Sequence, residues 1–216
     1  MKIQRYRIFF SKTEAMRFTG HLDLILTWER TFRRAALPLS YSEGFNPRPV
    51  INLASPLPLG FISSAELGDF WLSEDISQEE VENSLKRSLP PGLIIHHIQE
   101  IPQIHGNKLP GLVERSEYTA FLPKEYSGLD LKIDTLLQST KIFRTRKGKE
   151  YDLRPLIHNI TLEKGQEDFP SLLNISLFSL PSGTGRPDEV LLALDIPHHE
   201  ALICRTAIVL KPVEEN

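Results

Sequence analysis

The chain has 216 residues, 25% of them charged and 40% hydrophobic, a composition close to that of ordinary globular domains. Its net charge is −3 and its one cysteine, Cys204, excludes an internal disulfide, a paired-cysteine zinc knuckle and a three-cysteine iron–sulfur site. The first residues, MKIQRYRIFFSK, lack the apolar core of a signal peptide, and no stretch approaches ~18 apolar residues, so a cytoplasmic protein without membrane contact is expected.

The length suits two small domains, and the pattern of apolar residues divides accordingly. Residues 2–10 alternate, with Gln4, Tyr6, Ile8 and Phe10 on one face and Ile3, Arg5, Arg7 and Phe9 on the other, which predicts a half-buried strand. Residues 20–36 read as a helix whose stripe is Leu22, Ile25, Phe32 and Ala36, with Trp28 at its edge, Thr19 as N-cap and Pro38 as the stop. Strands follow at 50–54 and 66–73. A helix capped by Ser77 follows at 78–88, with Glu80 completing a capping box, and a strand at 93–101.

The order β-α-β-β-α-β predicts an α+β fold of the ferredoxin-like, split βαβ kind: an antiparallel sheet with both helices on one face. Residues 102–113, rich in proline and glycine, read as a linker between a domain at 1–101 and a more divergent one at 114–216. The second half repeats the plan. It has a strand at 115–123, a helix at 129–139, and strands near 141–146, 156–163 and 172–180. A short helix opened by Pro187 and a strand at 201–210 complete it, with an extra ribbon around 141–163. Cys204 falls within that last strand and reads as a buried structural thiol. The Gly-Thr-Gly at 183–185 reads as a turn rather than as part of a dinucleotide fingerprint.

The small net charge hides an uneven distribution. Residues 1–50 carry nine Lys/Arg against four acids, a net of +5, so residues 51–216 hold −8. A second basic cluster is Lys141, Arg144, Arg146, Lys147, Lys149 and Arg154 against Glu150 and Asp152. Such clusters are either solvated faces or an anion-binding surface. Arg30, Arg33 and Arg34 lie within little more than one helical turn, which calls for an acidic neighbour or an external anion.

The segment 37–62 contains Pro38, Pro47, Pro49, Pro56 and Pro58, so it is a stiff path, and Gly44-Phe45-Asn46-Pro47 suits a tight turn. With Ser40, Tyr41, Ser42 and Arg48 beside it, this loop either holds an anion or base or merely covers one end of the sheet. His21 and Asp23 open the first helix; His21 is a candidate acid/base with Asp23 orienting it, or both simply cap and pack. Glu66 is a further catalytic candidate, expected across the sheet from Arg5 and Arg7 and equally readable as an ion pair. The histidines are dispersed, so no metal site is expected.

The motifs FSK at 10–12, RFTGHLDL at 17–24, FRRAALPLSYSEGFNPRP at 32–49 and LASPLPLGFISSAELGDFWL at 53–72 resemble the radical-SAM-linked family of prokaryotic proteins, a domain of unknown function. RTRKGKEYDLRPLI at 144–157, GRPDEVLLAL at 185–194 and CRTAIV at 204–209 continue the resemblance more weakly. It implies a companion of a B12-binding radical SAM enzyme, in a genomic setting of RNA-processing and ribosomal-protein genes. It supplies no activity. With one cysteine, this chain holds no radical SAM cluster, so SAM, iron–sulfur cluster and cobalamin are expected only in a partner.

The expectation is therefore an accessory protein, not independently catalytic, that binds the radical SAM enzyme or an RNA or nucleotide-like substrate. Its surface would draw on Arg5, Arg7, Arg30, Arg33, Arg34, the loop from Ser40 to Arg48, and Arg144, Arg146, Lys147 and Arg154. The alternatives are an RNA-processing or RNA-modifying enzyme using His21, and a small-molecule binding domain.

Overall fold

Alternation in the first strand builds the first core. The computed structural model describes residues 4–102 and 108–212, and the chain divides into two units, Met1–Val113 and Glu114–Asn216. Residues 103–107 of the expected linker, and residues 2 and 3 of the first expected strand, lie outside the described residues.

In the first unit, β1 (Gln4–Lys12) is followed by α1 (His21–Arg34), β2 (Ile51–Leu53), β3 (Ile62–Leu72), α2 (Gln78–Ser88), β4 (Leu93–Glu100) and the short α3 (Leu109–Leu112). The strands lie in the order β2-β3-β1-β4, every neighbouring pair antiparallel. Tyr6, Ile8 and Phe10 project from β1 into a core shared with Trp28 and Phe32 of α1, Phe70 and Leu72 of β3, Val81 and Leu85 of α2, and Ile95 and Ile98 of β4. Its centre is aromatic: Phe10 meets Trp28 edge-on at 4.9 Å between ring centroids, and Phe32 lies 4.6 Å from Phe70. Each such ring contributes roughly 1.5–3 kcal/mol through burial alone.

The helix α1 differs from its expected phase. Its buried residues are Leu24, Trp28, Thr31 and Phe32, at i, i+4, i+7 and i+8, whereas Leu22 is 74% exposed. Trp28 has the largest apolar area on the helix and sets the buried face, displacing the stripe that the leucine and isoleucine positions suggested. Gly20, not Thr19, occupies the N-cap, and the helix ends before Ala36, whose φ is +53°. The cap of α2 is as expected: Ser77 Oγ accepts from Glu80 N–H at 3.3 Å, a bond whose loss costs about 1 kcal/mol. β3 starts four residues earlier than the apolar pattern indicated, because a register shift after Phe10 lets Lys12 pair with Ser63. Leu109–Leu112, within the expected linker, is a helical turn with Leu109 buried.

The second unit contains β5 (Val113–Leu122), α4 (Leu129–Gln138), β6 (Phe143–Arg146), β7 (Lys149–Asp152), β8 (Ile157–Gln166), β9 (Phe169–Leu180), β10 (Gly183–Thr184), α5 (Pro187–Ala193) and β11 (Leu202–Leu210). Its main strands run β8-β9-β5-β11, and β10 adds to β9. β6 and β7 form a hairpin of their own inserted between α4 and β8. Gly185, after β10, has its backbone where a Cβ would lie 2.8 Å from Leu177 Cβ, so the Gly-Thr-Gly stretch is a close chain approach rather than a phosphate loop. Cys204 is half-buried, not buried, because the alternation of β11 turns Ile203 and Arg205 inward and Cys204 to the other side. Among the described residues no helix is long and apolar enough to cross a membrane.

Candidate nucleic-acid interface

The cationic residues singled out in the sequence separate into those held by the fold and those left to solvent. Arg5 and Arg7 belong to the first group. They occupy the face of β1 opposite the aromatic core, and register sets Arg7 directly across from Asp69 and Arg5 across from Trp71. Arg7 Nε donates to Asp69 Oδ1 at 2.7 Å and its Nη2 to Oδ2 at 3.0 Å. Arg5 Nε donates to the same Oδ2 at 3.1 Å, its Nη2 pairs with it as well, and its guanidinium lies 5.2 Å from the Trp71 ring centroid. All three charged residues are buried.

This corrects the expected partner: Asp69, not Glu66, receives both arginines. Glu66 stands opposite Phe10 and therefore on the core side of the sheet, where it is buried. Arg5 and Arg7 are thereby structural anchors rather than open ligand contacts.

Two further arginines clip helix ends. Arg34 Nε and Nη2 donate to Ser88 O, the last residue of α2, at 3.3 and 2.9 Å. Arg154 Nε and Nη2 donate to Leu137 O, near the end of α4, at 3.1 and 2.9 Å, and its Nη1 to Ile157 O at 3.0 Å. Both guanidiniums occupy carbonyls that a helix C-terminus leaves unpaired, where positive charge is favourable. Arg144 Nε pairs with Glu189 Oε2 of α5 at 3.2 Å.

Arg30 and Arg33 are exposed, with no side-chain hydrogen bond or ion pair among the described residues. The Pro-rich loop after α1 is exposed from Tyr41 through Arg48. Its base is fixed: Ser40 is buried and its N–H donates to Trp71 O at 2.8 Å, so Ser40 supports the loop and does not face a ligand. Ser42 N–H donates to Arg48 O at 2.8 Å, and Ser42 Oγ accepts from Arg48 N–H at 3.0 Å, closing a loop with Gly44 at φ +121°. Phe45 stands at the tip fully exposed, with Tyr41 about half-exposed and Asn46 and Arg48 open beside it. A rigid loop that presents an aromatic ring, a cation and amide groups is suited to stack and hydrogen-bond a planar, anionic partner.

The catalytic candidates do not share one environment. His21 is the first residue of α1 and half-buried, Asp23 is exposed in the first turn, and Glu66 is buried. Several buried charged groups were missed in the sequence, Lys12 among them. Lys12, at the end of β1, is 1% exposed and its Nζ donates to Arg17 O at 3.2 Å and Phe61 O at 3.0 Å. The alternation of β1 was a usable signal, since it places Lys12 on the same face as Phe10. Among the described residues no group of three or more His, Cys, Asp or Glu is placed to hold a metal ion.

The class defined here is a two-unit α+β protein whose buried charges serve the fold and whose exposed cations and aromatic rings sit on a stiff loop, a helix and a hairpin. Residues 5–185 match the family described as an uncharacterized protein conserved in bacteria (DUF2344), and the chain belongs to that family. No curated protein matches it.

Proposed function

We propose that this chain is an accessory binding protein, not independently catalytic, that presents an RNA or nucleotide-like substrate to a radical SAM enzyme. It is read as two tandem ferredoxin-like domains of a cytoplasmic protein: the first unit follows the order strand, helix, two strands, helix, strand, and the second follows it with the β6–β7 hairpin and the short β10 added between its two helices. The observation that carries the binding reading is the loop Tyr41–Arg48, closed by backbone bonds and tipped by a fully exposed Phe45. An exposed phenylalanine on a proline-stiffened loop gains nothing in water, and base stacking gives it a partner at little entropic cost. Arg30, Arg33 and Arg48 supply cations for phosphates. The radical SAM enzyme is the partner implied by the family resemblance, and the exposed Leu22 and Leu26, one turn apart on α1, offer it an apolar contact.

Fluorescence anisotropy with a single-stranded RNA oligomer tests this reading. Affinity falls linearly in log[salt], and Phe45→Ala weakens it by roughly 1–3 kcal/mol, about 5- to 150-fold. Negligible binding at low salt overturns it. Co-purification of the radical SAM enzyme with this chain, lost on Arg30→Glu with Arg33→Glu, supports the accessory role; Arg34 is left intact because it clips α2.

A second reading is an RNA-modifying enzyme with His21, half-buried as the first residue of α1, as acid/base. His21→Ala that keeps RNA affinity while abolishing product formation would select it.

A further inference from the structure

The β6–β7 hairpin carries a second cluster of cations, and its register sorts them. Phe143 pairs with Asp152, Arg144 with Tyr151, Thr145 with Glu150 and Arg146 with Lys149. Residues directly opposite share a face and alternate along each strand. One face is therefore Arg144, Arg146, Lys149 and Tyr151; the other is Phe143, Thr145, Glu150 and Asp152.

The base of the first face is committed to α5 through the Arg144–Glu189 ion pair at 3.2 Å. The outer half is not. Residues 145–150 are exposed on both faces of the ribbon. Arg146, Lys147 and Lys149 have no side-chain hydrogen bond or ion pair among the described residues, and Asp152 is occupied by the N–H groups of Ile142 and Arg154 at 2.8 and 3.0 Å. Two like charges directly across a ladder destabilise it, so Arg146 beside Lys149 is an arrangement that an external anion would relieve.

The turn adds a third cation in a strained position. Lys147 and Gly148 both have positive φ, +51° and +76°, the pair of angles a type I′ hairpin requires. Asn, Asp or Gly meets that requirement at lower cost than lysine.

We infer that this hairpin is a phosphate-gripping element in which Arg146 and Lys149, side by side, and Lys147 at the turn hold the sugar–phosphate backbone of the nucleic acid. The inference rests on the RNA-binding reading and deepens it, giving the second unit its own contact separate from the Phe45 loop. A nucleic acid is favoured over an acidic polypeptide by the other face of the same ribbon. There Phe143 is 61% exposed with Lys141 Nζ 5.9 Å from its ring centroid, a stacking platform next to cations that carboxylates alone would not use.

The test compares the wild-type chain with Arg146→Gln plus Lys149→Gln and with a control on the opposite face, Thr145→Ala. The double variant loses about tenfold or more in single-stranded RNA affinity near 0.1 M salt. Its log–log salt slope falls by about 1.4, at about 0.7 for each phosphate no longer neutralised, and the control binds as wild type. An unchanged affinity and slope in the double variant, with Phe45→Ala still impaired, overturns the hairpin inference and leaves the RNA reading standing. Absence of salt-dependent RNA binding by the wild-type chain overturns both. Equal competition by polyglutamate at matched charge assigns the hairpin to an acidic protein and overturns the inference.

Discussion

Asp69 ties the first unit together at the residue scale, because one buried carboxylate is shared by two buried guanidiniums. The pairing is specific to β1 register: alternation places Arg5 and Arg7 on one face, and the facing strand supplies the acid. Removing the acid's charge leaves two like charges buried side by side, a far worse state than losing the whole cluster. Asp69→Asn is expected to destabilise the protein by about 3–5 kcal/mol, measured as a shift in urea midpoint at neutral pH. Replacing all three residues together by apolar residues of similar volume is expected to do less harm. A loss below about 1 kcal/mol for Asp69→Asn would show that water reaches the guanidiniums. That Arg5 and Arg7 share a face was legible in the sequence. The identity of their acid was not, because Glu66 and Asp69 are three residues apart on one strand and only the register decides which of them faces the arginines.

At the scale of elements, the six segments of the first unit were legible wherever apolar residues recur with a clean period or a cap is written locally, as at Ser77. Legibility failed where polar residues form structure. The start of β3, Ile-Ser-Ser-Ala, has no apolar alternation and is recruited by pairing with the end of β1. The clips made by Arg34 and Arg154 were hidden for a different reason: their acceptors are backbone carbonyls, which no residue type announces. The hairpin β6–β7 was visible as an extra ribbon, but its anchorage on α5 was not. That anchorage has a pH signature. Burial, reinforced by the nearby charge of Glu189, pushes the Tyr151 hydroxyl from its ordinary value of 10.0 up to about 12, against the opposing charges of Arg144 and Arg146. Between those values the unfolded chain has released the proton while the folded hairpin still holds it. Stability is therefore complete below about pH 10 and falls as pH rises toward 12. Urea midpoints at about pH 9 and pH 11.5 are expected to differ more for the wild-type chain than for Tyr151→Phe. Equal differences would place Tyr151 in an environment no drier than water.

For the whole molecule, the opposition between local and total charge decides how binding responds to salt. The chain is −3 overall although residues 1–50 are +5, and the hairpin is a basic island in a remainder of −8. At about 0.1 M salt the screening length is near 10 Å, so a phosphate in contact with Arg48 or Arg146 is governed by the cations beside it and hardly senses acids farther away. At about 0.01 M the screening length is near 30 Å, comparable to a small domain, and the same phosphate senses the acidic remainder as well. A uniformly basic protein gains affinity continuously as salt is withdrawn. For this chain, a plot of log affinity for RNA against log salt is expected to be straight from about 0.2 to 0.05 M and to bend toward a plateau as salt approaches about 0.01 M. Neutralising exposed acids outside both cationic elements, such as Glu79 and Glu80 at the start of α2, is expected to straighten the low-salt limb without moving the values at 0.1 M. A line that stays straight to about 0.01 M in the wild-type chain would mean that the bound strand never comes within the field of the acidic remainder.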